Sequence, residues 1–159
     1  MSGQDQLELF ANRLGNERYQ RLVLSLDGCA REGATNRLLR GSEFFRTLAE
    51  RQIDWLEHEA DFSQPSIDTL LAATLADNLN SQDEVSVIKA LRVLRQRAML
   101  HNVWRSFTSP NGLDETLDSM TKLADFVIRC AVDYAEYVVS KRYGHAVGDD
   151  TGALQKLIV

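Results

Sequence analysis

The sequence reads as an all-α helical bundle built on one long antiparallel helix hairpin, and three features carry that reading. Residues 82–107 and 113–142 are long stretches without glycine or proline, and their apolar residues recur at helical spacing. Between them, Ser109-Pro110-Asn111-Gly112 is strong turn chemistry, which folds the second stretch back on the first. The first stretch is also apolar on two sides, as a helix with neighbours on both sides must be.

Shorter helices are expected ahead of the hairpin. Gln4–Arg13 and Asn16–Ala30 are separated near Gly15, and the second places Tyr19, Leu22, Val23, Leu26 and Ala30 on one face. Gly33 ends it. A short turn over Asn36–Arg40 leads to Gly41–Ser42, where the Ser42 hydroxyl caps a helix over Glu43–Glu50 with Phe44, Phe45, Leu48 and Ala49 inward. Ile53, Trp55 and Leu56 anchor another short helix, and Phe62–Pro65 is a loop. Ser66 opens Ile67–Leu79, whose Leu70, Leu71, Thr74, Leu75 and Leu79 face the core.

The first hairpin helix begins with Ser81 and Glu84 in capping-box spacing and runs for roughly 40 Å. Val87, Leu91, Leu94 and Ala98 fall on one side of it, and Val85, Val93, Leu100, Val103, Trp104 and Phe107 on another. In the second, Leu113, Leu117, Met120, Ala124, Val127, Ala131, Tyr134 and Val138 step by three or four, continuing to Lys141, and are expected to face the core. Asp114 and Glu115 at its start, and Lys141 and Arg142 at its end, suit the helix dipole. Tyr143–Gly144 stops the helix, and His145–Gly152 is a polar loop. Residues 154–159 end in Leu-Ile-Val, the pattern of a buried strand with no partner elsewhere in the sequence. The expected division is a helical domain over 1–152 and, over 153–159, the first strand of a second domain that the chain stops short of completing.

With 44% hydrophobic and 26% charged residues the chain is globular rather than disordered. Its net charge is −5, and residues 1–80 carry 13 acids against 8 arginines, which argues against a nucleic-acid partner. The most apolar stretch, Leu123–Val139, is interrupted by Asp125, Arg129, Asp133 and Glu136, so it is not a membrane span. MSGQDQLELF has neither the basic nor the apolar region of an export signal. Cys29 and Cys130 are expected as two buried thiols. A cytoplasmic location follows as the expectation.

No catalytic constellation emerges. His58, His101 and His145 stand singly, without metal-ligand spacing, so no metal site and no catalytic residue is assigned. Asp149–Asp150 is an acid pair, but adjacent acids on a loop point apart. Gly41–Ser42 followed by Asp54 imitates a nucleotidyltransferase pattern, yet Leu56 stands where the second acid belongs. Arg92, Arg95 and Arg97 are the candidate phosphate contacts. Against that role stands ion pairing to acids on neighbouring helices, with the arginine stems covering apolar surface, and the pattern favours the pairing.

Leu91-Arg92-Val93-Leu94-Arg95-Gln96-Arg97-Ala98-Met99-Leu100, Leu123-Ala124-Asp125, Arg142-Tyr143-Gly144 and Leu157-Ile158-Val159, in that order and spacing, resemble one family. It is the bifunctional glutamine synthetase adenylyltransferase/adenylyl-removing enzymes. The resemblance runs over Asp83–Val159, and more loosely through Ser42-Glu43-Phe44 and Asp54-Trp55-Leu56. It implies a helical lead-in to the first of two nucleotidyltransferase domains, the one that removes the adenylyl group by phosphorolysis. It also implies glutamine synthetase, a nitrogen-regulatory protein and a downstream catalytic domain as partners, and Mg²⁺ and ATP as cofactors of the full-length enzyme. The family's Gly-rich segment and metal-binding acid pair have no counterpart in this sequence, so no family catalytic residue transfers and the chain alone is expected to be inactive. The two functions in contention are a non-catalytic part of that enzyme and a free-standing helical interaction module. The unpaired terminal strand favours the first.

Overall fold

The structure, a computed structural model, describes residues 3–27, 33–60, 62–63, 66–76, 83–149 and 152–155. Among them the chain forms eight helices: α1 (Gly3–Leu14), α2 (Asn16–Asp27), α3 (Ala34–Gly41), α4 (Glu43–Arg51), α5 (Ile53–His58), α6 (Asp68–Ala76), α7 (Glu84–Thr108) and α8 (Gly112–Tyr143). The all-α reading holds, and α7 and α8 are the expected hairpin.

Two glycines mark helix boundaries through their backbone. Gly15, at φ 83°, lets α1 end and α2 begin with a single residue between them, and Gly144, at φ 84°, terminates α8. Ser42 caps α4 by accepting a hydrogen bond from the Phe45 N–H at 3.1 Å. The expected capping box at the start of α7 is replaced. Asp83 is the cap, accepting from the Ser86 N–H at 2.9 Å and its hydroxyl at 3.0 Å, and Ser81 lies outside the described residues. Those bonds, the backbone one first, hold the Asp83 carboxyl below the ordinary aspartate range.

The main core gathers Phe10 of α1, Leu22 and Leu26 of α2, Leu38 and Leu39 of α3, Phe45 of α4, Leu56 of α5, and Leu100 and Trp104 of α7. A second, smaller core joins Ile67 at the start of α6, Leu94 and Ala98 of α7, and Leu123 of α8. So α7 serves three apolar clusters: Leu100 and Trp104 close the short-helix core, Leu94 and Ala98 are shared with α6 and α8, and Val87 packs with Cys130 of α8 in a small third one. This explains its two apolar sides. The extremes of the second side depart from expectation, however. Val85 in the first turn and Phe107 in the last are 75% and 61% exposed.

On α4 the expected inward Phe44 is exposed, and Arg46 is buried instead. Its guanidinium donates to the Leu39 carbonyl at 2.6 Å and the Arg40 carbonyl at 3.3 Å, and to Gln6 Oε1 at 3.5 Å. The cation therefore caps the carbonyl end of α3, where orphan acceptors and the helix dipole both favour it.

The largest departure is the rotation of α8. Its buried line is Gly112, Ser119, Leu123 and Cys130, with Met120, Val127 and Tyr134 half-buried. Leu113, Leu117, Ala124, Ala131 and Val138, expected in the core, are exposed. The turn sets this rotation. A Cβ on Gly112 would lie 2.6 Å from the Arg105 carbonyl oxygen and 2.7 Å from the Ser106 Cα, so the two backbones touch there. A clamp of charge fixes the same end. Arg105 Nε and Nη2 donate to the two carboxylate oxygens of Glu115 at 2.7 and 2.9 Å, and the Ser109 hydroxyl donates to the same carboxylate at 2.7 Å.

The Arg105 bonds, then the Ser109 hydroxyl, hold the Glu115 carboxyl below its ordinary value near 4.5, against the opposing cost of burial. A carboxyl more acidic in the folded state stabilises fully above its unfolded pKa, and that contribution is lost as pH falls through the folded one. Melting of the wild type and Glu115→Gln from about pH 7 down to about pH 3 should show a constant gap at the upper end, closing below about pH 4.5. A gap that widens on acidification would exclude this role for the pair.

The chain after α8 turns back on itself. Val147 and Leu154 form an antiparallel bridge, with the Gly148 N–H donating to the Ala153 carbonyl and the Gln155 N–H to the Ala146 carbonyl, both at 2.9 Å. The segment expected as an orphan strand therefore has a partner at its start, inside what was expected to be a polar loop. Residues 156–159 lie outside the described part, as does Cys29. Cys130 is a buried free thiol, and burial, helped by Asp133, pushes its pKa up.

Candidate functional site

The described residues enclose a cleft of about 690 Å³ between α6 and α7, in the range of small-molecule sites. Its floor is apolar, made by Leu70 and Ala73 of α6 and Ala90, Val93 and Leu94 of α7. Its polar lining is Lys89, Arg97, Glu59, Ser66, Thr69, Thr74 and Ser86, together with Trp55 and His101. Lys89 and Arg97 are eight residues apart on α7, so about 12 Å of helix separates them and they share a side to within about 80°.

Arg97 is held in place. Its guanidinium lies 5.1 Å over the Trp55 ring, and its Nε donates to Gln52 Oε1 at 3.3 Å. Gln52, between α4 and α5, in turn donates to Gln96 Oε1 at 2.7 Å. The start of α6 is tied to α8 by Lys122, whose Nζ reaches Asp118 at 2.9 Å, Asp68 at 3.5 Å and the Ser66 hydroxyl at 3.4 Å. Asp118 and then Asp68 raise the Lys122 pKa. Ser66, before Lys122, lowers that of Asp68.

Of the three candidate phosphate contacts, only Arg97 enters the cleft. Arg92 and Arg95 are exposed on the other side of α7, and among the described residues none of the three forms a salt bridge. The other residues weighed have separate employment. Ser42 is a helix cap, Asp54 pairs with Arg18, and His58 Nδ1 lies 2.8 Å from the Asp54 carbonyl. Asp149 is exposed in the segment after α8, and Asp150 lies outside the described residues. Among the described residues no three His, Cys, Asp or Glu side chains converge in a way that could hold a metal ion. Two cations, the Glu59 carboxylate and several hydroxyls beside apolar side chains give the cleft a mixed polar character. Sequence reading missed Lys89, Trp55 and the hydroxyls. The i, i+8 spacing of Lys89 and Arg97 could have linked the two cations, but only the packing of α6 makes a cleft between them.

A model of the glutamate-ammonia ligase adenylyltransferase family matches residues 33–159. Three relatives bear the name bifunctional glutamine synthetase adenylyltransferase/adenylyl-removing enzyme. That of Thioalkalivibrio sulfidiphilus is 32% identical over 143 residues, covering 82% of this chain and 15% of the relative. That of Pseudomonas aeruginosa is 27% identical over 143 residues, covering 90% of this chain and 13% of the relative. That of Ralstonia nicotianae is 26% identical over 125 residues, covering 76% and 13%. The chain thus spans about 15% or less of the length of the curated relatives it matches. No solved structure matches it.

Proposed function

The chain belongs to the glutamate-ammonia ligase adenylyltransferase family, and from that premise we propose that it is a non-catalytic helical scaffold within an enzyme that attaches AMP to glutamine synthetase and removes it. The observation that carries this reading is the family match across residues 33–159, which takes in the whole α7–α8 hairpin. The relatives' printed name supplies the substrate, glutamine synthetase. A nitrogen-regulatory protein and a downstream catalytic domain are the further partners in this reading, and the cytoplasm its location. No helix among the described residues is long and apolar enough to cross a membrane.

Mg²⁺ and ATP belong in this reading to the catalytic domain. The described residues do not offer the converging acids that an ion bridging phosphates needs. What the helices supply is a rigid support, with α7 shared by three apolar clusters and the α7–α8 turn clamped by Arg105 and Glu115. A free-standing interaction module is the second reading, and the exposed apolar side of α8 is what favours it.

Release of AMP from adenylylated glutamine synthetase, with phosphate and Mg²⁺ present, tests the proposal. A chain extended through the proposed downstream domain should act, and residues 1–159 alone should not. Turnover by the 159-residue chain that disappears in Asp149→Asn with Asp150→Asn would replace the scaffold reading with a catalytic one.

A further inference from the structure

The C-terminal end of α8 outruns the helix it packs on. Cys130 packs with Val87, three residues from the start of α7, whereas α8 runs on to Tyr143. About ten residues of α8, roughly 15 Å, therefore project past the first residue of α7. Tyr134 is half-buried against the cluster of Val87 and Cys130, and no α8 residue after Cys130 is buried. This projecting end is not polar. Tyr137, Val138 and Val139 are 39%, 44% and 53% exposed, and successive helix residues stand about 100° apart, so the three present apolar surface on three sides. A helix apolar on several sides is one with neighbours on several sides. Of the fifteen large apolar residues exposed in the described part, nine lie on α8 or after it.

We propose that this end of α8, residues 131–143, is a docking pin enclosed by the domain that follows in the same polypeptide. The inference rests on the reading above, from which it takes that domain, and adds the surface on which the domain sits. Three observations select this occupant. The first is the path of the chain. Gly144 ends α8, the chain folds back through the Val147–Leu154 bridge, and the Gln155 N–H donates to the Ala146 carbonyl at 2.9 Å. At its last described residue the chain is thus pinned three residues past the end of α8. A domain tethered there meets the projecting end at an effective concentration on the order of millimolar, against which a free partner has to compete. Length is the second. The matched relatives carry about 85% or more of their length outside the part this chain covers, so their tether bears a large polypeptide. Shape is the third. A two-fold contact with a second copy covers one side of a helix, whereas three exposed sides call for a cradle. Asp133 and Glu136, about 60° apart between the directions of Tyr137 and Val139, leave one polar edge to solvent.

Maleimide labelling of Val138→Cys and Val139→Cys tests this, with the labelled peptide identified by mass so that Cys29 and Cys130 do not interfere. In the 159-residue chain both thiols should react freely, and equally so at about 1 and 50 µM protein. In a chain extended through the proposed downstream domain, both should slow at least about tenfold. Hydrogen exchange of the unsubstituted chains serves if a variant misfolds. Residues 131–143 should exchange at least about tenfold more slowly in the extended chain, with Asn16–Asp27 unchanged. Equal rates in the two chains would overturn the docking, even where the extended chain releases AMP from glutamine synthetase. Protection without AMP release would uphold the docking and count against the functional reading alone. Protection of the 159-residue chain that grows with concentration would give the surface to a second copy and overturn the proposal. So would protection of the extended chain that appears only once glutamine synthetase is added.

Discussion

Replacing Trp104 with alanine is expected to destabilise the fold by about 3–5 kcal/mol. Trp104 is fully buried in the C-terminal half of α7, with Phe62 at 5.8 Å between ring centroids. Phe62 also stacks on His101 at 5.9 Å and meets Trp55 edge-on at 6.0 Å, so the indole supports an aromatic cluster as well as its own contacts. Removing it leaves a cavity at the point where α7 closes the core of the short helices, and a rigid helix cannot collapse into that space. Such a loss is a large share of the roughly 5–15 kcal/mol that a domain has to spare. Denaturant melts give the value, with Trp104→Phe as the comparison that keeps most of the volume. An alanine loss below about 1 kcal/mol would mean that this core does not hold α7.

Leu94→Ala should cost about 2–5 kcal/mol for a different reason. Leu94 is 2% exposed and packs with Ile67, Ala98 and Leu123, so it touches the entry to α6, its own helix and α8 at once. This second core is small, and few other side chains can move in to fill the gap. The same residue forms part of the cleft floor. Its truncation should therefore loosen α6 before the main core, and amide hydrogen exchange should rise first over residues 68–76. Uniform acceleration across all eight helices would show instead that the two cores unfold as one unit.

The two effects belong to the two sides of α7, and those sides were legible in the sequence because apolar spacing on a single helix is a local property. The same holds for the Ser42 cap, for the breaks at Gly15 and Gly144, and for the α7–α8 turn, since each depends on backbone chemistry within a few residues. The arginine candidates were less legible. Arg92, Arg95 and Arg97 look alike in sequence, and only the position of α6 and Trp55 separates Arg97 from the other two.

What the sequence determined by itself is the helical class, the hairpin and the family, because helix period, turn residues and residue identity are all written along the chain. What tertiary structure alone decided is the direction each helix faces. A 3.6-residue period states that α8 has an apolar side, but not whether the partner on that side is α7 or another molecule. The contact at Gly112 and the Arg105–Glu115 clamp decide it, by bringing the backbones together with Leu123 and Cys130 inward. Arg46 was settled in the same way. A lone arginine among apolar neighbours gives no sign of burial until the carbonyl end of α3, five to seven residues earlier, is folded back against it.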